Sequence, residues 1–422
     1  MKALLKKMAA AALAATLMLG AVTAAAGGDP FGDEPVQVMA RLVEEPLDML
    51  ALEDELPPAL PVMSGTDSSV PARSAIMIDQ HHGTVLYEKN PDEPLPPASI
   101  TKVMTLLLAM EALESGRIRL DEMVSPTEYA CSMGGSQIWL KPDEQMSVED
   151  LLKAIAISSA NDASVAIGEK IAGTNDAFID MMNSRAHDLG MNNTHFLNAT
   201  GLDEPGHLTT ARDIAVMSRA LMKHALIKEY STIWMDSLRG GATELVNTNR
   251  LVRFYGGATG LKTGTTNGAG SCLSATAERD GLALVAVVMG SPTSDERFAA
   301  ARSLLDFGFA NYTTVEPPPI HDQLTPVRVI RGVDGGVAVT YDPPEKFVVS
   351  KAAKENITQN ITLVDDVEAP VYKGQVLGKT EVIVDGALVA SYDLRAADQV
   401  GRITVFKAFG KLMGGLVRLD RN

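Results

Sequence analysis

The sequence predicts a mixed α/β (α+β) protein: one antiparallel sheet flanked by helices, a helical subdomain inserted into it, and a small all-β domain after it. Three observations predict this. Strand-like alternation occurs at both ends of residues 74–313, with helical periodicity between them. Pro317-Pro318-Pro319 marks a boundary, beyond which short alternating runs are separated by turn residues. The chain of 422 residues is 46% hydrophobic and 21% charged, too long for one compact domain and too apolar to be disordered.

Lys2, Lys6 and Lys7 precede an uncharged run from Met8 to Gly20 and then Ala24-Ala25-Ala26. Residues 1–26 therefore read as a cleavable secretory signal, and the protein is expected to be exported; the alternative is a retained N-terminal anchor. Residues 27–73 carry ten Asp or Glu against two Arg and show no sustained periodicity, which predicts a flexible acidic leader. Ala75 to Ile78 and Thr84 to Tyr87 read as two strands around a turn at Asp79 to Gly83. After Pro94, Pro96 and Pro97, a helix is expected from Ser99 to about Ser115, burying Val103, Leu106, Leu107, Met110 and Leu113.

Apolar residues at three-to-four spacing predict helices over Val148 to Ile157, Ala163 to Ile171, Ala177 to Leu189 and Ala211 to His224. Strands return at Gly260 to Gly264, Ser271 to Ala277 and Leu282 to Met289, and Arg297 to Phe307 reads as a closing helix. Residues 74–313 thus form one expected unit with a cleft between sheet and helices. Residues 317–396 form the all-β unit, with strands at Val327 to Ile330, Val337 to Thr340, Phe347 to Val349, Ile361 to Val364, Glu381 to Val384 and Ala387 to Tyr392. In residues 397–422, Val405, Phe409, Leu412, Leu416 and Leu419 recur at four-three spacing, with Lys407, Lys411, Arg418 and Arg421 roughly opposite. Such a basic amphipathic helix on an acidic chain reads as an anchor on a membrane surface; the alternative is a helix packed on the β domain.

Composition removes several functions. With 53 acidic against 37 basic residues and a net charge of −16, the chain lacks the clustered cations that a nucleic-acid partner needs. Two cysteines, Cys131 and Cys272, exclude a disulfide scaffold and a four-Cys zinc site, and they are expected to be separate thiols. The seven histidines show no ligand spacing, so neither metal nor other cofactor is expected.

Ser99-Ile100-Thr101-Lys102 carries the most chemistry. At i and i+3 on a helix, Ser99 and Lys102 share a face, so the amine can reach the hydroxyl. Lysine acts as a base only if its pKa falls from about 10.4 toward neutrality, a change of about 4 kcal/mol. The positive end of the helix and a second cation would both push that way. Alone, S-x-x-K is a frequent accident. Two further motifs follow in order: Ser159-Ala160-Asn161, expected in a loop between helices, and Lys262-Thr263-Gly264, expected on a strand. They supply a hydroxyl, a carboxamide, a second cation and room for a substrate backbone.

In this order the three motifs resemble those of low-molecular-mass penicillin-binding proteins, the serine-type D-alanyl-D-alanine carboxypeptidases of peptidase family S11 type. Resemblance extends from about residue 74 to 400 and includes Gly134-Gly135-Ser136-Gln137-Ile138, Asn161-Asp162-Ala163-Ser164, His195-Phe196, Gly201-Leu202-Asp203 and Ala211-Arg212-Asp213. The resemblance implies a β-lactamase/transpeptidase-like catalytic domain. It implies that Ser99 attacks the carbonyl between two D-alanines of a peptidoglycan pentapeptide stem, with Lys102 as general base and Ser159 as proton relay. Asn161 would hold the substrate amide. Lys262, Thr263 and Thr265, beside Gly264, would meet the terminal carboxylate, and the Ser99 and Thr265 N–H groups would form the oxyanion hole. Arg297 aligns with an arginine near the site in similar enzymes; its other reading is a solvated helix arginine. The resemblance also implies covalent inhibition by β-lactams, and it favours the peripheral anchor on the outer face of the cytoplasmic membrane. A β-lactamase would need a second base, and the nearest match, Glu244-Leu245-Val246-Asn247, has the wrong spacing. A penicillin-binding sensor or scaffold without turnover is the remaining alternative.

Overall fold

The computed structural model describes residues 63–64, 70–342, 346–405 and 407. The expected secretory signal, nearly all of the acidic leader and residues 408–422 of the expected amphipathic helix lie outside the described residues.

Strands β1 (Ser74–Asp79) and β2 (Val85–Lys89) make the first hairpin. A 3-10 turn, Ala98–Thr101, then leads into α1 (Lys102–Glu114). Helices α2 (Val148–Lys153), α3 (Asn161–Ala172), α4 (Asn175–Asp188) and α5 (Ala211–Met222) supply the helical insertion. Thr174 starts α4 by accepting from Ala177 N at 3.2 Å, which is why that helix begins before its first apolar residue. The chain returns to the sheet as β3 (Ala258–Thr266), β4 (Gly270–Arg279) and β5 (Leu282–Ser291), and α6 (Ser294–Asn311) closes it.

Across the sheet the order is β2-β1-β5-β4-β3, all antiparallel, with the short Met63–Ser64 strand parallel to β2 at the outer edge. Alternation along the strands splits the core. Ile76, Ile78, Val285 and Val287 face the helical insertion, while Met77, Leu284, Ala286 and Val288 pack with Phe298, Leu304 and Leu305 of α6. Both faces are covered, so these strands read as continuous apolar runs. At Gly308 of α6 a Cβ would lie 2.5 Å from Leu284 Cδ1, so the helix sits hard against β5.

Beyond α6, β6 (Tyr312–Val315) leads to β7 (Val327–Ile330), β8 (Phe347–Ser350), β9 (Ile357–Leu363), β10 (Val376–Val384) and β11 (Ala387–Ala396). β6 pairs antiparallel with β8, and β9, β10 and β11 form an antiparallel meander. Tyr312 and Val348 join the apolar layer under α6. The expected strand Val337 to Thr340 is split: Gly336–Val337 pairs with β7 and Val339–Thr340 with β11. The expected strand Glu381 to Val384 is the end of a longer one, because pairing with β9 and β11 extends it back to Val376.

The expected helix Val148 to Ile157 is not continuous. It ends at Lys153 and widens into a π-turn over Ala154–Ser158. That departure positions a site residue.

Candidate active site

The turn that carries Ser99 begins at Pro97, whose fixed φ suits a helix start. The turn opens as 3-10, with Ile100 N donating to Pro97 O at 3.2 Å, rather than as the α-helix the sequence predicts. Lys102 is wholly buried, and its Nζ donates to Ser99 Oγ at 2.9 Å and to Thr200 O at 2.7 Å. Burial holds the Lys102 amine well below the ordinary lysine range; nearby Lys262 pushes the same way and Asp162 opposes it. The sequence identified the second cation but not the larger cause, which is desolvation.

Ser159 follows the π-turn. The wider turn lets Ala160 N reach Ala154 O at 3.2 Å and leaves Ser159 in the left-handed region at φ 66°. Its Oγ is buried with no hydrogen-bond partner among the described residues. Asn161 is the first residue of α3, not a loop residue as predicted, because the helix resumes at once after Ala160. Its Nδ2 donates to Gly134 O at 2.6 Å, while its Oδ1 is buried and unpartnered. An acceptor without a donor is what a substrate amide would satisfy.

On β3, Gly264 lies against the turn that carries Ser99, while the Thr263 hydroxyl meets Thr248 and the Thr265 hydroxyl meets Arg297. A Cβ at Gly264 would stand 2.9 Å from both Ala98 Cβ and Ser99 N, so only glycine permits this approach. Lys262 is buried and donates to Thr263 O at 3.0 Å. Burial, aided by Arg297, brings its pKa down to about 7. Thr263 Oγ1 donates to Thr248 Oγ1 at 2.7 Å. Arg297 is buried on α6, not solvated: its Nη1 donates to Gly264 O at 2.9 Å and to Thr265 Oγ1 at 2.7 Å. Thr265 Oγ1 accepts there, which leaves its own proton to donate.

A loop roofs Asn161. The buried Asp162 carboxylate accepts from Ile138 N at 3.2 and 3.1 Å, Leu140 N at 3.1 Å and Ala163 N at 2.9 Å. Arg239 donates to Ile138 O at 2.9 Å and is held in turn by Glu144 at 2.8 Å. Between these pins Trp139 stands 72% exposed at φ 60°, a costly conformation for an aromatic residue.

The structure therefore brings Ser99, Lys102, Lys262 and Gly264 together, with Arg297 bound to Gly264 O and Thr265 Oγ1. Ser159, just after the π-turn, and Asn161, at the start of α3, come from segments that both pack against α1. Thr200, Asp162, Arg239 and Thr248 support the site without having been assigned a role from sequence. Asp162 had a signal, since it lies in the Asn161-Asp162-Ala163-Ser164 segment; the Thr200 contribution is a backbone oxygen and left none. Cys131 and Cys272 are both free. Among the described residues, no group of three or more His, Cys, Asp or Glu side chains could hold a metal ion.

Residues 62–293 match the family profile described as D-alanyl-D-alanine carboxypeptidase, and residues 312–402 match that of the penicillin-binding protein 5 C-terminal domain. The chain is 40% identical over 347 residues to the D-alanyl-D-alanine carboxypeptidase DacF of Bacillus subtilis, covering 81% of this chain and 89% of that protein. The crystal structure of penicillin-binding protein 5 from Haemophilus influenzae is similar, with a TM-score of 0.72 at 30% identity, covering 80% of this chain and 99% of that one. Penicillin-binding protein D2 from Listeria monocytogenes, in its ampicillin-bound form, gives a TM-score of 0.53 at 32% identity, covering 58% of this chain and 99% of that one.

Proposed function

The chain belongs to the D-alanyl-D-alanine carboxypeptidase family, the serine peptidases of S11 type, and we propose that Ser99 is its acylating nucleophile and a neutral Lys102 its base. The observation that carries this is the 2.9 Å contact between Ser99 Oγ and a wholly buried amine. Once the amine is neutral the contact reverses, with the Ser99 O–H donating to Nζ. Ser99 Oγ then bonds to the carbonyl carbon between two D-alanines, and its proton passes to Lys102. Oxyanion charge falls on the N–H groups of Ser99 and Thr265. Ser159 relays a proton to the departing D-alanine amine, and water later cleaves the acyl ester. Asn161 Oδ1 accepts from the substrate amide. Lys262, Thr263 and Thr265 receive the terminal carboxylate, with Gly264 leaving room for the close approach to Ser99 and Arg297 holding the Thr265 hydroxyl.

The substrate in this reading is the pentapeptide stem of peptidoglycan, and β-lactams acylate the same serine, as the ampicillin-bound relative supports. Against a β-lactamase stands the nearby carboxylate, Asp162, whose oxygens are occupied by backbone N–H groups and so cannot serve as a second base. Ser99→Ala should abolish both D-alanine release from a pentapeptide stem and labelling by fluorescent penicillin; labelling that survives would overturn the assignment.

We further propose residues 74–313 as the catalytic unit and 317–396 as a β domain that carries it. Residues 1–26 direct export, and residues 397–422 hold the mature chain peripherally on the outer face of the cytoplasmic membrane. Among the described residues no helix is long and apolar enough to cross a membrane. Full chain should co-sediment with anionic vesicles in a salt-sensitive way, while a chain ending at Ala397 should not. Equal sedimentation of the two would remove the anchor.

A further inference from the structure

One residue bearing on the nucleophile turn is not used in the mechanism above. His207 is buried, in a loop whose other members press on the same turn. Thr200 O accepts from Lys102, and Gly201 lies so close that a Cβ there would be 1.8 Å from Ala98 O. Asp203 ties the loop to the end of β3, accepting from Thr266 Oγ1 at 2.6 Å and Gly268 N at 2.9 Å.

The hydrogen bonds of His207 fix its tautomer. Leu197 N donates to Nδ1 at 3.2 Å, so Nδ1 is bare and Nε2 carries the proton. Nε2 lies 2.9 Å from Thr101 Oγ1, which itself donates to Ala98 O at 2.9 Å. Direction is therefore set along the chain: His207 Nε2–H to Thr101 Oγ1, then Thr101 O–H to Ala98 O. Ala98 is held at φ 48°, left-handed for a residue with a Cβ, at a cost of about 1–3 kcal/mol.

The Ala98 carbonyl and the Ser99 N–H belong to one planar trans peptide, so they point in opposite directions. Pinning Ala98 O between Thr101 and Gly201 aims the Ser99 N–H the other way, toward β3, where a Cβ on Gly264 would meet Ser99 N. We propose that His207 is a positioning residue for acylation, acting through Thr101 to hold the Ala98–Ser99 peptide so that the Ser99 N–H meets the developing oxyanion. This rests on the assignment of Ser99 as nucleophile. Burial and the neighbouring His195 bring the imidazole pKa down to about 4 against the pull of Asp203, which keeps the donor chain in one state at neutral pH.

The test compares full-chain His207→Leu, His207→Gln, Thr101→Val and Thr101→Ser. Acylation by fluorescent penicillin is followed by stopped flow, kcat and KM are measured on a D-alanyl-D-alanine peptide, and thermal unfolding is recorded. His207→Leu and Thr101→Val should each slow acylation about 10- to 100-fold, lowering kcat with KM changed less than about threefold. The double variant should be no slower than the worse single one. His207→Gln and Thr101→Ser, which keep a donor in the chain, should recover the rate to within about fivefold. Acylation of His207→Leu within about twofold of the parent would overturn the proposal, as would equal loss in His207→Gln and His207→Leu. If His207→Leu does not fold, the near-isosteric Thr101→Val against Thr101→Ser decides by the same criteria. Ser99→Ala that still releases D-alanine would instead overturn the nucleophile assignment.

Discussion

Replacing Asp162 with Asn keeps the shape and removes one acceptor and the charge. In the native site its two oxygens receive Ile138 N, Leu140 N and Ala163 N at 2.9–3.2 Å, in a wholly buried position. Asparagine can satisfy part of that set with its single oxygen, but its amide group then faces backbone donors. Losing charge-assisted bonds and leaving a buried N–H unpaired should cost about 2–4 kcal/mol. For a unit of this size that corresponds to a fall in Tm of about 5–15 °C. A second effect is separable. Asp162 raises the pKa of Lys102, opposing burial and Lys262. Without that charge the amine loses its proton at lower pH, so the acid limb of the acylation pH profile should move toward acid even as stability drops. Penicillin acylation rates across pH 4–9, together with calorimetry, read both effects. A limb that moves toward alkali, or an unchanged Tm, would refute the role given to this carboxylate.

Arg297→Gln should remove one cause of the depressed Lys262 pKa, which then rises from about 7, and should raise KM for D-alanyl-D-alanine peptides about 10-fold; the pH dependence of KM checks both. Gly264→Ala would place a methyl 2.9 Å from Ala98 Cβ and Ser99 N. Penicillin labelling should slow at least about 100-fold while unfolding temperature falls only a few degrees. The native state takes up a proton on His207 only near pH 4, whereas the unfolded chain does so near its ordinary value of about 6.5. Its contribution to stability is therefore complete above about pH 6.5 and is lost as pH falls toward about 4. Urea unfolding should show that slope in the parent and a flatter one in His207→Gln.

Much of this was legible in sequence because it follows from periodicity and spacing. Strand alternation and the i, i+3 relation of Ser99 and Lys102 survive into the structure almost unchanged. What was hidden depends on three-dimensional context. The π-turn at Ala154–Ser158 looks, residue by residue, like more helix; only the extra residue in the turn delivers Ser159 at φ 66°. Arg297 reads equally well as a solvated helix residue until α6 is laid across the end of β3. The main cause of the Lys102 shift is burial, and the S-x-x-K motif says nothing about depth. Backbone contributions such as Thr200 O are independent of side-chain identity and so leave no trace in the residue pattern.

Strand β1 pairs with β5, joining Ser74–Asp79 to Leu284–Met289 across the whole helical insertion. During synthesis the turn that carries Ser99 therefore emerges long before the strand that carries Lys262, and before the β5 edge on which β1 must be laid. The insertion, rich in short-range helical contacts, can form early, while the sheet must wait for its last strand. A partly made chain thus holds Ser99 and Lys102 without the second cation, the Gly264 approach or the buried surroundings that together depress the Lys102 pKa. Reactivity toward peptide or penicillin is in this way tied to the arrival of β3, and a fragment that stops short of β3 is expected to be inert even with Ser99 and Lys102 in place.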